Sequence, residues 1–166
     1  MYSNHFPEIV LVNYEKQLPA GKINYCDSLV LMKTTLGSCV SVVIYNKRDD
    51  NSNCSMSHYL MPRSVSGSYE SSNPGNTKYG EFILELQIQI MNRHCPKRYM
   101  EAMIFGGSVL RSMQSSSLIS EIGNQNIEVA RNLLKKNGIQ VKGMDVGGNH
   151  SRHVEFMPEI KKAKII

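Results

Sequence analysis

The sequence predicts an α+β fold, built as two packed sheets or one strongly curved sheet flanked by helices. Five short runs rich in branched and aromatic residues recur along the chain, broken by Gly, Asn and Ser. Only two segments carry apolar residues at three- and four-residue spacing. At 166 residues, with 41% hydrophobic and 20% charged, the chain fits one domain spanning residues 1–166 and is long enough to bury a core.

The elements follow in order. Leu29–Thr35 and Val40–Tyr45 are the first expected strands, separated at Gly37-Ser38. Lys47–Asn53 is a polar turn leading to a third strand, Ser55–Leu60. Arg63–Thr77 collects Ser, Gly, Asn and Pro and reads as a long loop. Loops beyond about 12–15 residues inside a compact domain are usually functional or mobile, so this one is a candidate cover for a site. Tyr79–Asn92 is the first expected helix, with Tyr79, Phe82, Ile83, Leu86 and Ile90 as its apolar stripe. Tyr99–Phe105 reads as a strand ending in Gly106-Gly107. The second helix is expected over Asn126–Asn137, with an Asn capping its start and Ile127, Ala130, Leu133 and Leu134 facing inward. Ile139–Met144 is the last expected strand, closing at Asp145 and Gly147-Gly148, and Lys161–Lys164 reads as a solvated end.

Composition narrows the function classes. A net charge of +5 suits an acidic partner or substrate. There is no concentrated basic stripe interleaved with aromatics and no Trp, so nucleic acid is not the expected partner. No apolar run approaches the roughly 18–20 residues that span a bilayer. The N-terminal residues lack the pattern of a secretion signal, so the expected compartment is the cytoplasm, without membrane insertion. In that compartment Cys26, Cys39, Cys54 and Cys95 read as free thiols. Cys54-x3-His58 has no partner pair at a recognised metal spacing, so no metal is expected, and the thiol chemistry considered below needs no organic cofactor either.

Leu36-Gly37-Ser38-Cys39-Val40 is the most informative segment. A cysteine after two small residues, at the start of an apolar strand, sits where the backbone can bend sharply and turn main-chain N–H groups toward a bound carbonyl. The plain alternative is a small buried hydrophobe, a common fate of free cysteine. His58 lies downstream in Met56-Ser57-His58-Tyr59-Leu60-Met61-Pro62. A strand, a turn and a returning strand fit the gap, so antiparallel pairing can bring thiol and imidazole together. Such a pair is the minimum apparatus of thiol nucleophilic catalysis, in which the imidazole takes the thiol proton and lowers its effective pKa from about 8.5. A core histidine with a satisfied hydrogen bond is the alternative for His58, and spacing leaves both open.

These runs resemble the chemoreceptor glutamine deamidase (CheD) family. Further matches come in order: Leu18-Pro19-Ala20-Gly21, Lys78-Tyr79, Phe105-Gly106-Gly107, Ile122-Gly123-Asn124-Gln125-Asn126, and Asp145-Val146-Gly147-Gly148-Asn149 with Arg152, Val154 and Phe156. Each is short, but together they span about Leu18 to Phe156. The resemblance implies a β-sandwich with helices outside, on the plan of a deamidating-toxin cysteine hydrolase. It implies hydrolysis of glutamine side chains to glutamate on the cytoplasmic domains of bacterial chemoreceptors, with Cys39 as nucleophile and His58 as base. A third member, a Thr shortly upstream of the Cys, falls within Lys33-Thr34-Thr35, and Thr34 is the expected match. Gly37 and Ser38 would border the substrate pocket through their main chain. Asn149 and Arg152 would shape it from the glycine turn, which reads equally well as a tight connection between strands. The resemblance also implies a CheC-type chemotaxis phosphatase as a binding partner, which gives the alternative of a non-enzymatic regulatory module. Gln125 departs from the family pattern, where Arg is usual, as does His150.

Overall fold

The computed structural model describes residues 14–26, 30–48, 53–69, 73–109 and 117–166. The elements run β1 (Tyr14–Gln17), β2 (Lys22–Cys26), β3 (Val30–Leu36), β4 (Val40–Asn46), β5 (Cys54–Tyr59), α1 (Gly80–Asn92), β6 (Met100–Gly106), α2 (Ser117–Lys136), β7 (Gln140–Val146), β8 (Arg152–Met157) and β9 (Lys162–Ile165). They form a four-stranded sheet, ordered β1-β3-β8-β9, and a five-stranded sheet, ordered β2-β5-β4-β6-β7. The α+β expectation holds, in its two-sheet form.

Strand alternation decides the layering. In β4, Val43 and Tyr45 point to one side, where they meet Met32 and Leu36 of β3 and Val154 and Phe156 of β8. Val40, Val42 and Ile44 point to the other, against Ile83, Leu84, Ile88 and Met91 of α1 and Ala130 and Leu134 of α2. The five-stranded sheet is therefore covered on both faces, by the second sheet and by the helices. Its central strand β4 is buried along its whole length, which explains why it reads as a continuous apolar run rather than an alternating one. β6 and β7 pair in parallel, with α2 as the crossover between them.

Several expectations shift. The buried face of α1 is Gly80, Ile83, Leu84, Gln87, Ile88 and Met91, so the expected stripe is rotated and only Ile83 of it is fully buried. Gln87 joins the core because its amide donates to Val42 O, Ser55 O and Ser55 Oγ. α2 begins at Ser117, not Asn126, and Asn126 is a buried mid-helix residue rather than a cap. Gly123 looks like a helix breaker, yet it is required inside the helix: a Cβ there would lie 2.7 Å from Gly107 O. Lys162–Ile165 is a strand with Ala163 buried, not a solvated end. The long loop contains a short 3-10 turn over Pro74–Lys78, and its residues 70–72 lie outside the described residues.

Candidate active site

Cys39 occupies the turn between β3 and β4, and three separate groups hold that turn by its carbonyl oxygens. Gly37 O accepts from Ser108 N at 2.8 Å, Cys39 O accepts from Gly107 N at 2.8 Å, and Ser38 O accepts from Asn126 Nδ2 at 3.1 Å. The fit behind the turn is close. A Cβ on Gly106 would stand 2.2 Å from Cys39 O, and Gly106 has φ +103, so glycine is required there on both counts. Each held carbonyl also fixes the N–H of the next residue, which points the opposite way across the same trans peptide plane, so the orientations of the Ser38 and Cys39 N–H groups are set by Ser108 and Asn126.

Register places His58 next to this turn. β4 and β5 pair antiparallel with Val40 opposite Tyr59 and Ser41 opposite His58. One further step would set Cys39 opposite Leu60, diagonal to His58 on the same face. Diagonal neighbours in such a ladder are about 7–8 Å apart, less between Cβ atoms, a gap that these two side chains can close. Cys39 is half-buried and packs against the core between the sheets, the side on which the His58 ring also lies.

Thr34 reaches His58 from the opposite sheet. Its Oγ1 lies 2.9 Å from His58 Nδ1 and donates to Leu18 O at 2.9 Å. His58 Nδ1 is also 3.3 Å from Leu18 O, an oxygen that can only accept. The network therefore assigns the proton to Nδ1, where it is shared by Thr34 Oγ1 and Leu18 O, and leaves Nε2 as the bare, basic nitrogen. Leu18 is itself fixed by Leu18 N donating to Lys33 O, and Gly21 N donates to His58 O, so the Leu18–Gly21 turn wraps the histidine. Lys33 instead pairs with Glu15 and Glu155, and Thr35 Oγ1 meets His153 on the outer face. Thr34 alone of the three faces inward.

The electrostatics favour neutral groups. Burial pushes the Cys39 thiol above its ordinary value, with its own main-chain N–H pulling weakly the other way. Burial likewise holds the His58 imidazole below its ordinary value, partly offset by the bond to Leu18 O. In both groups desolvation is the leading cause, so both directions favour the uncharged form. The resting pair is thiol plus neutral imidazole. His58 Nε2 and Ser41 Oγ, on facing residues, are both buried without a hydrogen-bond partner among the described residues.

The other sequence candidates divide between the turn itself and the loop that backs it. Gly37 and Ser38 are half-buried parts of the Cys39 turn. Arg152 is 2% exposed, its guanidinium bonded to Asp145 Oδ1 and Gly147 O at 2.7 Å each and to Ser108 Oγ. It thereby braces the residue that holds Gly37 O and lies behind the turn. Asn149 is exposed on the turn after Gly147-Gly148. Sequence reasoning gave no role to Leu18 O and took Asn126 for the start of a helix rather than for a partner of the Cys39 turn. The Leu18–Gly21 and Ile122–Asn126 runs were visible as motifs, but only the fold shows what their polar groups touch. Cys54 meets Cys26 at 3.1 Å between sulfurs, at the far end of β5 from His58. Among the described residues no group of three or more His, Cys, Asp or Glu could hold a metal ion, and no helix is long and apolar enough to cross a membrane.

The two-sheet α+β fold thus sets a half-buried thiol and an oriented imidazole on the same face of neighbouring strands. The chain belongs to the CheD family: the family model described as CheD chemotactic sensory transduction matches residues 60–165. That match includes Gly106-Gly107, Asn126 and Arg152 but begins after Cys39 and His58. The chain is 34% identical over 131 residues to the chemoreceptor glutamine deamidase CheD of Halalkalibacterium halodurans, covering 78% of each chain. A Sinorhizobium medicae protein named "Probable chemoreceptor glutamine deamidase CheD" is 33% identical over 140 residues, 83% of this chain and 71% of that one. One from Oceanobacillus iheyensis with the same name is 33% identical over 133 residues, 79% of this chain and 78% of that one. A solved Neisseria meningitidis structure overlaps at 14% identity and TM-score 0.45, over 84% of this chain and 63% of that one.

Proposed function

We propose that this protein hydrolyses glutamine side chains of chemoreceptor cytoplasmic domains to glutamate, with Cys39 as nucleophile, His58 as base and Thr34 as the group that orients His58. The observation that carries the mechanism is the Leu18–Thr34–His58 network, which leaves Nε2 basic on the face that Cys39 shares. Family membership and the names of the relatives support the substrate.

The chemistry proceeds through a thioester. As Cys39 Sγ attacks the carboxamide carbon, His58 Nε2 takes the thiol proton, so charge develops only during the reaction. The carbonyl oxygen becomes an oxyanion and accepts from the Cys39 main-chain N–H and a neighbouring N–H of the turn. Donors of this kind are often worth about 3–4 kcal/mol each. The intermediate collapses as His58 returns its proton to the departing amine, releasing ammonia and leaving the acyl group on sulfur. His58 then takes a proton from water, whose oxygen attacks the thioester; collapse releases glutamate and re-forms the thiol. One glutamine and one water become one glutamate and one ammonia.

Mass spectrometry of a receptor cytoplasmic fragment incubated with the protein tests the reading, since each deamidation adds about one dalton. Wild type should modify the fragment, and Cys39→Ala and Cys39→Ser should not, while folding normally. Full activity in either variant would falsify the nucleophile assignment. A CheC-type phosphatase is a second proposed partner, on family resemblance, and co-purification with that protein checks it. Deamidation by wild type removes the purely regulatory alternative.

A further inference from the structure

We propose that Asn126 is a positioning residue, whose carboxamide fixes the Cys39 turn against the end of the His58 strand. The inference rests on the Cys39–His58 reading above and adds a group from a third element of the fold. Asn126 Nδ2 donates both to Ser38 O at 3.1 Å and to Leu60 O at 2.9 Å. Ser38 O belongs to the same peptide plane as the Cys39 N–H. Fixing that oxygen therefore aims the N–H, the donor proposed to receive the oxyanion. Leu60 lies two residues past His58, where β5 has just ended. One amide thus spans the two segments whose spacing sets the distance from thiol to imidazole.

The surroundings hold this amide in place. Tyr59 Oη donates to Asn126 O at 2.6 Å, tying α2 to the residue after His58. Gly123, one turn earlier on α2, meets Gly107, whose N–H holds Cys39 O. Stability alone does not favour such a residue. Asn is a poor helix former away from the ends, Asn126 is fully buried, and its Oδ1 has no hydrogen-bond partner among the described residues. An apolar residue of similar size would fill the space without that cost but could not bridge the two carbonyls.

The test compares wild type with Asn126→Leu and Asn126→Asp, which keep the volume and lose the two donors. Three quantities are read: thermal midpoint, kcat and KM on a receptor fragment, and the pH dependence of Cys39 alkylation by iodoacetamide, followed by peptide mass spectrometry. Displacements of about 1 Å in such sites can cost roughly 100-fold. The expected result is a fall in kcat of about 30- to 100-fold with KM within about 3-fold, and an upward shift in the alkylation midpoint. A lower thermal midpoint with unchanged kcat and an unchanged alkylation curve would make Asn126 merely structural and overturn the proposal. Should neither variant fold, Tyr59→Phe removes only the bond to Asn126 O. A smaller loss of kcat and an alkylation shift of the same sign support positioning, and their absence refutes it. Wild type and Cys39→Ala run alongside. Activity in Cys39→Ala, or none in wild type, defeats the functional reading, while the alkylation curve still decides the role of Asn126.

Discussion

Thr34→Val is the substitution that interrogates the tautomer assignment most directly. Thr34 is 1% exposed, and valine matches its shape, so the change removes a hydroxyl and little else. Two hydrogen bonds disappear, the donation to Leu18 O and the acceptance from His58 Nδ1, both 2.9 Å. At about 0.5–1.5 kcal/mol net each, the loss is roughly 1–3 kcal/mol of stability, reduced somewhat by the buried methyl that replaces the hydroxyl. His58 Nδ1 keeps only its longer contact to Leu18 O at 3.3 Å, so the ring loosens without losing its tautomer entirely. General-base catalysis contributes about 10²–10⁴-fold, and partial loss of orientation should cost about 10- to 100-fold in kcat. KM should change little, because Thr34 lies inside the sandwich. Steady-state ammonia release from a receptor fragment measures both constants, and chemical denaturation measures the stability. Thr34→Ser, which retains the hydroxyl, should keep most of the activity. Wild-type kcat in the valine variant, or a serine variant as impaired as valine, would refute the reasoning.

Other consequences are equally direct. Gly106→Ala combines a positive φ with a Cβ 2.2 Å from Cys39 O, so it should destabilise the chain by more than about 3 kcal/mol or displace the turn and abolish activity; a variant of normal stability and rate would contradict the described packing. Burial lowers the pKa of His58, so the folded protein resists its protonation while the unfolded chain accepts it near pH 6.5. The stability that neutral His58 contributes is present above about pH 6.5 and is lost as pH falls toward its own lower value. Wild type should therefore lose stability relative to His58→Gln over that window, and a pH-independent difference would count against the shift. Finally, the net charge of +5 should speed encounter with acidic receptor helices, so kcat/KM should fall as salt rises while kcat holds; a salt-independent kcat/KM removes electrostatic steering.

How far the sequence foretells this structure depends on how each segment is buried. β3, β4 and β6 were legible as mainly apolar runs, and β5 and β7 because a polar turn or a helix end bounds short segments with branched, aromatic or Met residues. β1, β2, β8 and β9 were not, since Lys, Glu, Gln, Asn, Arg and His dominate them and their pairing is set by partners distant in the chain. α1 was found, but with apolar residues around most of its circumference its inward face was ambiguous, and a hydrogen-bonded Gln87 occupies the core. Gly123 hid the first half of α2, because its packing against Gly107 cannot be read locally. In the site, family resemblance pointed to Cys39, His58 and Thr34, and the fold distinguishes Thr34 from Lys33 and Thr35 by the direction its side chain faces. For Arg152 the sequence left a pocket role and a structural role open, and its burial and its bond to Ser108 Oγ, which only the fold reveals, are the packing side of that choice.

The Thr34–His58 contact bridges the two sheets, and the Cys39 turn is held by α2 and by the β6–β7 region. None of these supports is local: 24 residues separate Thr34 from His58, and 88 separate Ser38 from Asn126. Contacts of such sequence separation form late in folding, after loop closure has been overcome. An emerging chain therefore carries Cys39 as an ordinary cysteine until the sandwich has closed and the helix has docked. Until then neither the Thr34–His58 contact nor the bond from Asn126 to Ser38 O exists, so completing the topology and assembling the proposed site are one event.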